Sequence, residues 1–244
     1  MDEASGNRAD AHGSNTLTDN NTVAALTGVI NNGADFELSN SEYLSITDGS
    51  QSGLDLNSDF SISVWIKLEQ LPSTSGTNFV IIAKDDATNE RSYLVLIAPT
   101  SNSVSDRPRL LYWSGSGGAG LTALETASVG LSGGDVGAWV HLVYVVDLAA
   151  HTIEIFKNAS SLGGRVDTGS ATSIYNGTAD VGVGARNPGG GGGLFFDGGM
   201  DEFGLWGRKL TSTEVTSLYN SGAGLAYPFA SSVVPRMALL GAGV

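Results

Sequence analysis

The sequence predicts an all-β chain, a sandwich or a barrel, that closes with one short helix. Three observations carry this reading. Short runs of alternating apolar and polar residues recur along the 244 residues. Glycine, at 34 residues, is about twice as frequent as usual and sits between those runs. A single stretch near the C-terminus has helical spacing and its own caps.

The elements follow in order. Residues 1–32 are rich in Asn, Gly, Asp, Ser and Thr and predict irregular structure with one short strand. Strands are expected at 34–38, 43–46, 60–68, 79–84, 93–97, 109–113, 139–147, 152–157, 181–185 and 195–206. The run 60–68 is the clearest. Phe60, Ile62, Val64, Ile66 and Leu68 share one face, and Ser61, Ser63, Trp65 and Lys67 share the other. The run 139–146 is apolar on both faces, as a central strand covered on each side would be. Residues 115–138 and 186–199 read as Gly-rich loops.

The stretch 200–222 reads as strand, turn and helix. Its alternation places Met200, Glu202, Gly204 and Trp206 on one face, and Asp201, Phe203 and Leu205 on the other. Thr211 is an N-cap with Glu214 three residues later, the spacing of a capping box. Val215, Leu218 and Tyr219 form an apolar stripe, and Gly222 is placed to end the helix in a left-handed conformation.

Composition narrows function. Lys+Arg is 12 against 25 Asp+Glu, a net charge of −13. Such a chain is repelled by phosphate backbones and anionic lipid, so nucleic-acid binding and membrane-surface binding are disfavoured. There is no cysteine, which excludes disulfides, thiolate metal sites and cysteine catalysis. The start, Met1-Asp-Glu-Ala-Ser, has neither the basic nor the apolar part of a secretory leader, and no run is long enough to span a membrane. The expectation is a protein exported by another route, released with a virion, or stripped of its leader.

Taken together, the segments resemble a family. Asp2-Glu-Ala-Ser-Gly-Asn-Arg-Ala-Asp10, Ala34-Asp-Phe-Glu-Leu with Ser41-Glu-Tyr-Leu-Ser-Ile46, Asp59-Phe-Ser-Ile-Ser-Val-Trp-Ile-Lys67, Trp139-Val-His-Leu-Val-Tyr-Val-Val-Asp147, Ile153-Glu-Ile-Phe-Lys-Asn158, Val181-Gly-Val-Gly-Ala185 and the stretch 200–222 occur in family order. The chain is similar to the laminin-G-like, concanavalin A-like jelly rolls of bacterial and phage surface proteins. The resemblance covers roughly residues 2–228. It implies a two-sheet antiparallel jelly-roll sandwich over 1–228, followed by an apolar tail at 229–244. Relatives carry a strand just before the first Asp-Glu, and here only Met1 precedes it, so a truncated first edge strand is expected. The family often holds a structural calcium between the N-terminal segment and the last strand. The matching residues are Asp10 and Asp201.

The residues themselves give few catalytic signals. Glycosidases on such a fold place carboxylates two and four residues apart on one strand face, since acid and nucleophile must stand about 5–5.5 Å apart, and no Glu-x-Asp-x-Glu or Glu-x-Asp-x-x-Glu pattern is present. Asp201 and Glu202 are adjacent and point to opposite faces of an ordinary strand. No Gly-x-Ser-x-Gly elbow opens a helix, and His141 lies within a strand. Gly115-Ser-Gly-Gly-Ala-Gly120 matches a dinucleotide fingerprint in letters but lacks the βαβ context. Glycan binding needs rings on which sugar faces stack. Trp65, Tyr112, Trp113 and Tyr144 are the candidates, although a large sandwich also needs aromatic residues in its core. The tail 231–244 includes Val233, Val234, Met237, Leu239 and Leu240, so it is expected to dock on its own domain or on a neighbouring subunit.

These readings point to a non-catalytic surface recognition or structural module. It would be a virion or cell-surface component, extracellular or on the virion, that binds surface glycans and assembles with itself or other structural subunits through its tail. Neither nucleic acid nor membrane insertion is expected. A soluble carbohydrate-binding lectin is the alternative, and a glycan-active enzyme the third reading.

Overall fold

The computed structural model describes residues 1–186, 188–190 and 192–229, together with the backbone of Ala238–Leu239. In chain order the strands are β1 (Thr18–Asn20), β2 (Ala24–Thr27), β3 (Asn32–Phe36), β4 (Tyr43–Ile46), β5 (Phe60–Leu68), β6 (Phe79–Asp85), β7 (Arg91–Ser101), β8 (Val104–Tyr112), β9 (Thr122–Glu125), β10 (Trp139–Asp147), β11 (Thr152–Lys157), β12 (Ser160–Ser161), β13 (Arg165–Thr168), β14 (Val181–Val183), β15 (Gly198–Trp206) and β16 (Ala238–Leu239). The α-helices are α1 (Pro72–Ser75) and α2 (Ser212–Tyr219).

The strands build two sheets. The first runs β1-β4-β14-β6-β7-β8-β9-β13. The second runs β12-β11-β10-β5-β15-β3-β2, with β16 added on β15. Every ladder between them is antiparallel. The expected two-sheet jelly-roll sandwich is the fold.

Its core lies between the sheets. Phe60, Ile62, Val64, Ile66 and Leu68 of β5 all point there, as the alternation predicts. They meet Phe79, Ile81, Tyr93, Val95 and Ile97 from the first sheet in one cluster. Each such side chain contributes roughly 1.5–3 kcal/mol by leaving water. A second cluster covers the outer face of the second sheet, where Val143, Phe156, Trp206, Leu210, Val215 and Leu218 pack together. β10 therefore is buried on both faces, with Val140, Leu142, Tyr144 and Val146 inward and Val143 outward.

β15 departs from simple alternation. Its pairing with β5 shifts between Asp201 and Gly204. Glu202 is the extra residue, at φ 44°, an uncommon left-handed conformation for a side chain of its size. The bulge resets the parity. Met200, Phe203 and Leu205 all lie in the inner core, so Met200 does not share a face with Trp206. Asp201 stands opposite Trp65 and Gly204 opposite Ser63, on the outer face.

The expected helix is present. Thr211 Oγ1 accepts from the Glu214 N–H at 3.3 Å, and Glu214 Oε2 accepts from the Thr211 N–H at 2.8 Å. Arg208 holds the Glu214 carboxylate at 2.6 Å, and this hydrogen bond keeps it below the usual carboxylate range. Asn220, at φ 47°, takes the left-handed cap position expected of Gly222, and a 3-10 turn carries the chain on to Gly222.

Strand limits were legible to a few residues, and some strands were not. The N-terminal region holds two short strands, β1 and β2, rather than one. The 115–138 loop contains β9, and β13 pairs with it. The tail expected to dock lies outside the described residues, except for the β16 backbone.

The cap makes a clear test. Thr211→Ala is expected to lower stability by ~1 kcal/mol, about 2–4 °C in Tm for a chain of this size. Thr211→Ser should retain most of it in thermal unfolding. An unchanged Tm for the alanine variant would show that the box contributes nothing.

Candidate functional site

The structure places all four candidate sugar-stacking rings inside. Trp65 and Trp113 are each 2% exposed, and Tyr112 and Tyr144 are fully buried. Tyr112 and Tyr144 belong to the inter-sheet core, and the Tyr112 hydroxyl donates to the Ala171 carbonyl at 2.6 Å. Trp113 lies on the outer face of the first sheet beneath the Arg91 guanidinium, 3.9 Å from its ring centroid. Trp65 stacks on His141 at 4.9 Å and on Tyr219 at 5.6 Å. None offers a free ring face to a sugar. The reason is packing: a sandwich this wide needs its aromatic volume on both sides of each sheet.

Asp10 and Asp201 are engaged separately. Asp10 accepts from the N–H groups of His12 and Gly13 at 2.9 Å and of Asn15 at 3.1 Å. Asp201 accepts from those of Val29 at 2.8 Å, Ile30 at 3.1 Å and Glu202 at 2.8 Å. Burial pushes the Asp201 carboxyl up, against these N–H bonds, which lower it. Calcium takes six to eight oxygens. Both carboxylates already accept several backbone N–H groups, and the two are held by different segments. Gly28 explains how Asp201 is reached: a Cβ there would lie 2.5 Å from Asp201 Oδ2.

A group that could hold a cation stands elsewhere. Asp35, Glu37 and Glu69 each place one oxygen within 4.8 Å of the others. Burial raises all three carboxyls, and repulsion from Asp197 adds to each; Asp35 also raises Glu37 and Glu69, while Lys67 pulls Asp35 and Glu69 back down.

His141 is sealed rather than reactive. Its Nε2 lies 2.8 Å from Ser63 Oγ, while Nδ1 has no partner. Burial lowers it to about 3, so the ring is neutral at ordinary pH. A nucleophilic triad needs an acid at Nδ1 and an open serine, and neither is present. Ser63, Trp65, His141, Glu202, Trp206 and Leu218 line a small internal cavity closed by Leu225 and Phe229. Burial raises the Glu202 carboxyl to about 8, and repulsion from Asp201 reinforces it. The Gly-rich letters at 115–120 form a 3-10 turn at Ser116–Gly118, with Gly115 bridged to Ala119 and no α-helix following. No phosphate cradle results.

An acidic cleft of about 450 Å³ opens at one end of the first sheet. The β6–β7 turn supplies Asp86, Thr88 and Glu90, the 178–180 segment supplies Thr178 and Asp180, and Pro188, Gly189 and Gly190 make the far wall. Asp85 lies fully buried in its floor, held by Arg186 at 2.9 Å and Arg91 at 3.2 Å. Asp86 shapes the turn by accepting from the N–H of Thr88 at 2.7 Å and of Glu90 at 3.0 Å. Burial pushes the Asp86 carboxyl up, but its bonds from the Thr88 hydroxyl and backbone N–H groups outweigh this and hold it low. Glu90 Oε2 accepts from Tyr175 at 3.2 Å and from the Thr178 N–H at 2.9 Å, and Asp180 Oδ1 from the Asp48 N–H at 3.1 Å. The cleft thus presents fixed acceptors beside hydroxyl groups and a wall without side chains at Gly189 and Gly190. Sequence spacing could not show it, because the β6–β7 turn lies about 90 residues before the 178–180 and 188–190 segments that face it.

Comparisons with known proteins come from fold and pattern. The family model described as the Concanavalin A-like lectin/glucanases superfamily matches residues 38–216. No curated protein matches by sequence. Domain 4 of AbnA, an extracellular arabinanase of Geobacillus stearothermophilus solved with arabinotriose, matches with TM-score 0.58 and 20% identity, over 88% of this chain and 98% of that one. The binding domain of Paraclostridial Mosquitocidal Protein 1 gives 0.60 and 13%, over 90% and 52%. The botulinum neurotoxin serotype D ligand-binding domain, solved with N-acetylneuraminic acid, gives 0.57 and 11%, over 87% and 49%. This chain spans about half the length of those two toxin domains. At these identities the likeness is one of fold. No helix among the described residues is long and apolar enough to cross a membrane.

Glu202 gives a pH test. Its folded value of about 8 stands above its ordinary 4.5. The folded chain therefore holds this proton more tightly than the unfolded chain. That stabilisation is complete below about 4.5 and is lost as pH rises through about 8. Urea melts at pH 6 and pH 9 should show the wild type losing stability with Glu202→Gln losing less. Equal slopes for both proteins would contradict the assignment.

Proposed function

The chain belongs to the Concanavalin A-like lectin/glucanases superfamily, and on that premise we propose that it is a non-catalytic glycan-binding module whose ligand occupies the acidic cleft at the β6–β7 turn. The observation that carries this reading is the cleft itself: carboxylates of Asp86, Glu90 and Asp180 beside the hydroxyls of Thr88 and Thr178. Sugar hydroxyls donate to such acceptors. Among the described residues Glu90 Oε1 and Asp180 Oδ2 have no protein donor, which leaves them to a ligand. Gly189 and Gly190 allow a sugar ring to approach the backbone.

Charge selects the class of glycan. The cleft is acidic and the chain carries −13 overall. An anionic sugar would be repelled, so the ligand is a neutral oligosaccharide. The magnitude is reasonable. A Kd of 1 mM corresponds to about −4 kcal/mol, and hydrogen bonds contribute about 0.5–1.5 kcal/mol each net. A few suffice for weak binding, and display in several copies on a cell or virion surface would raise avidity. The ion-paired floor and the turn-bound Asp86 favour positioning over proton transfer, which supports a binding role over catalysis.

Titration calorimetry with arabinotriose and with N-acetylneuraminic acid, alongside a glycan array, tests this. A neutral oligosaccharide is expected to bind and the sialic acid is not. Thr178→Trp, at an exposed wall position, should fill the cleft and weaken binding at least tenfold with Tm unchanged. Binding that survives this substitution would place the ligand elsewhere, and an array without neutral ligands would sink the proposal.

A further inference from the structure

Beneath α2 and the residues after it, three polar side chains line one small space. His141 on β10 and Trp206 on β15 are each 1% exposed. Glu202, on the bulge of β15, has its Oε1 sealed from solvent. His141 Nδ1, Trp206 Nε1 and Glu202 Oε1 have no hydrogen-bond partner among the described residues. All three residues border the cavity that Leu225 and Phe229 close. A buried polar atom left without a partner costs stability. Three of them around one cavity therefore point to a shared partner inside it.

The protons at this site follow from the protein side. Ser63 Oγ lies 2.8 Å from His141 Nε2 and has no other hydrogen-bond partner among the described residues. Nε2 is thus the one acceptor open to the Ser63 hydroxyl, which donates to it. Burial keeps the imidazole neutral at ordinary pH. A neutral ring carries one proton, and with Nε2 accepting, that proton is on Nδ1. His141 Nδ1–H and Trp206 Nε1–H are then two donors, and Glu202 Oε1 is an acceptor.

This set and the size of the space select the occupant. Two N–H donors exclude a cation, and a carboxyl oxygen disfavours an anion. A small molecule that both donates and accepts fits. The space open to the centre of a water-sized sphere is about 10 Å³, close to the roughly 10–15 Å³ that one water needs by this measure.

We propose that a single water molecule is a fixed part of this cavity. It accepts from His141 Nδ1–H and Trp206 Nε1–H and donates to Glu202 Oε1. Three hydrogen bonds are the usual complement of a buried water. The water ties β10 to β15 across β5, which lies between them in the sheet. It also fixes the His141 ring within its stack on Trp65 and Tyr219. This inference is independent of the glycan-binding reading, since the cleft lies on the other sheet.

Two measurements on the unaltered full chain test it. A high-resolution crystal structure should show one water within hydrogen-bond distance, about 2.7–3.2 Å, of His141 Nδ1, Trp206 Nε1 and Glu202 Oε1. A dry cavity, or a water touching fewer than all three, would overturn the proposal. Heteronuclear NMR of the imidazole near neutral pH should find the proton on Nδ1, and a proton on Nε2 would equally overturn it. A pair of variants then tests the acceptor. Glu202→Gln keeps a side-chain oxygen and should keep the water, whereas Glu202→Met removes the oxygen at similar length and should lose it. A water retained in the methionine variant would count against the proposal.

Discussion

The structure depends on burying β5 on both faces. Its inward residues, Phe60 to Leu68, meet the opposite sheet. Its outward residues Ser61, Ser63 and Trp65 are also sealed from water. A strand in this position obliges the chain to cover the outer face of its sheet. The segment after β15 does so. Ser61 Oγ donates to the Arg208 carbonyl at 3.0 Å and accepts from the Leu210 N–H at 2.9 Å. That pair of bonds fixes the turn before α2. Val215 and Leu218 then close over Val143 and Trp206. The helix is thus a lid required by the strand, not an appendage.

Much of this was legible because β5 is long and strictly alternating and β10 is a long apolar run. Nine residues of period-two alternation leave one register open, and the helix carried its own capping signals. The misses have physical causes. β9 and β13 are four-residue strands at the far end of the first sheet, with polar residues in Thr122, Glu125, Arg165 and Asp167. Their stabilisation includes a charge network, in which Glu125 holds Arg107 at 2.6 Å and Arg109 at 3.0 Å, rather than an apolar stripe. The bulge at Glu202 was illegible because nothing in Asp-Glu-Phe-Gly distinguishes it from a regular strand. It is imposed by the neighbouring ladder, and it inverted the faces assigned to Met200 and Asp201.

The candidate site was less legible than the fold. Ring chemistry picked out Trp65, Tyr112, Trp113 and Tyr144, but composition does not distinguish a core aromatic residue from an exposed one. In an acidic chain with few exposed large apolar groups, the proposed recognition surface is polar instead. Its parts are a turn after β6, a segment before β14 and the glycines after it. The one local hint was Asp85-Asp-Ala-Thr-Asn-Glu90, a hairpin turn with more carboxylates than a turn needs. Asp10 and Asp201 were singled out by the resemblance as calcium ligands, and each accepts several backbone N–H groups.

The three-ring stack of Trp65, His141 and Tyr219 joins the central strands to the last residue of α2. Tyr219 is the one ring of the three contributed by the lid. The indole of Trp65 is therefore shielded from solvent by the docking of this helix together with Leu225 and Phe229 just beyond it. Its emission is an intrinsic optical signal for that docking. When the helix lifts, the indole meets water and its fluorescence moves to longer wavelength, even while the two sheets stay together. The molecule carries a built-in probe that separates detachment of its lid from unfolding of its sandwich.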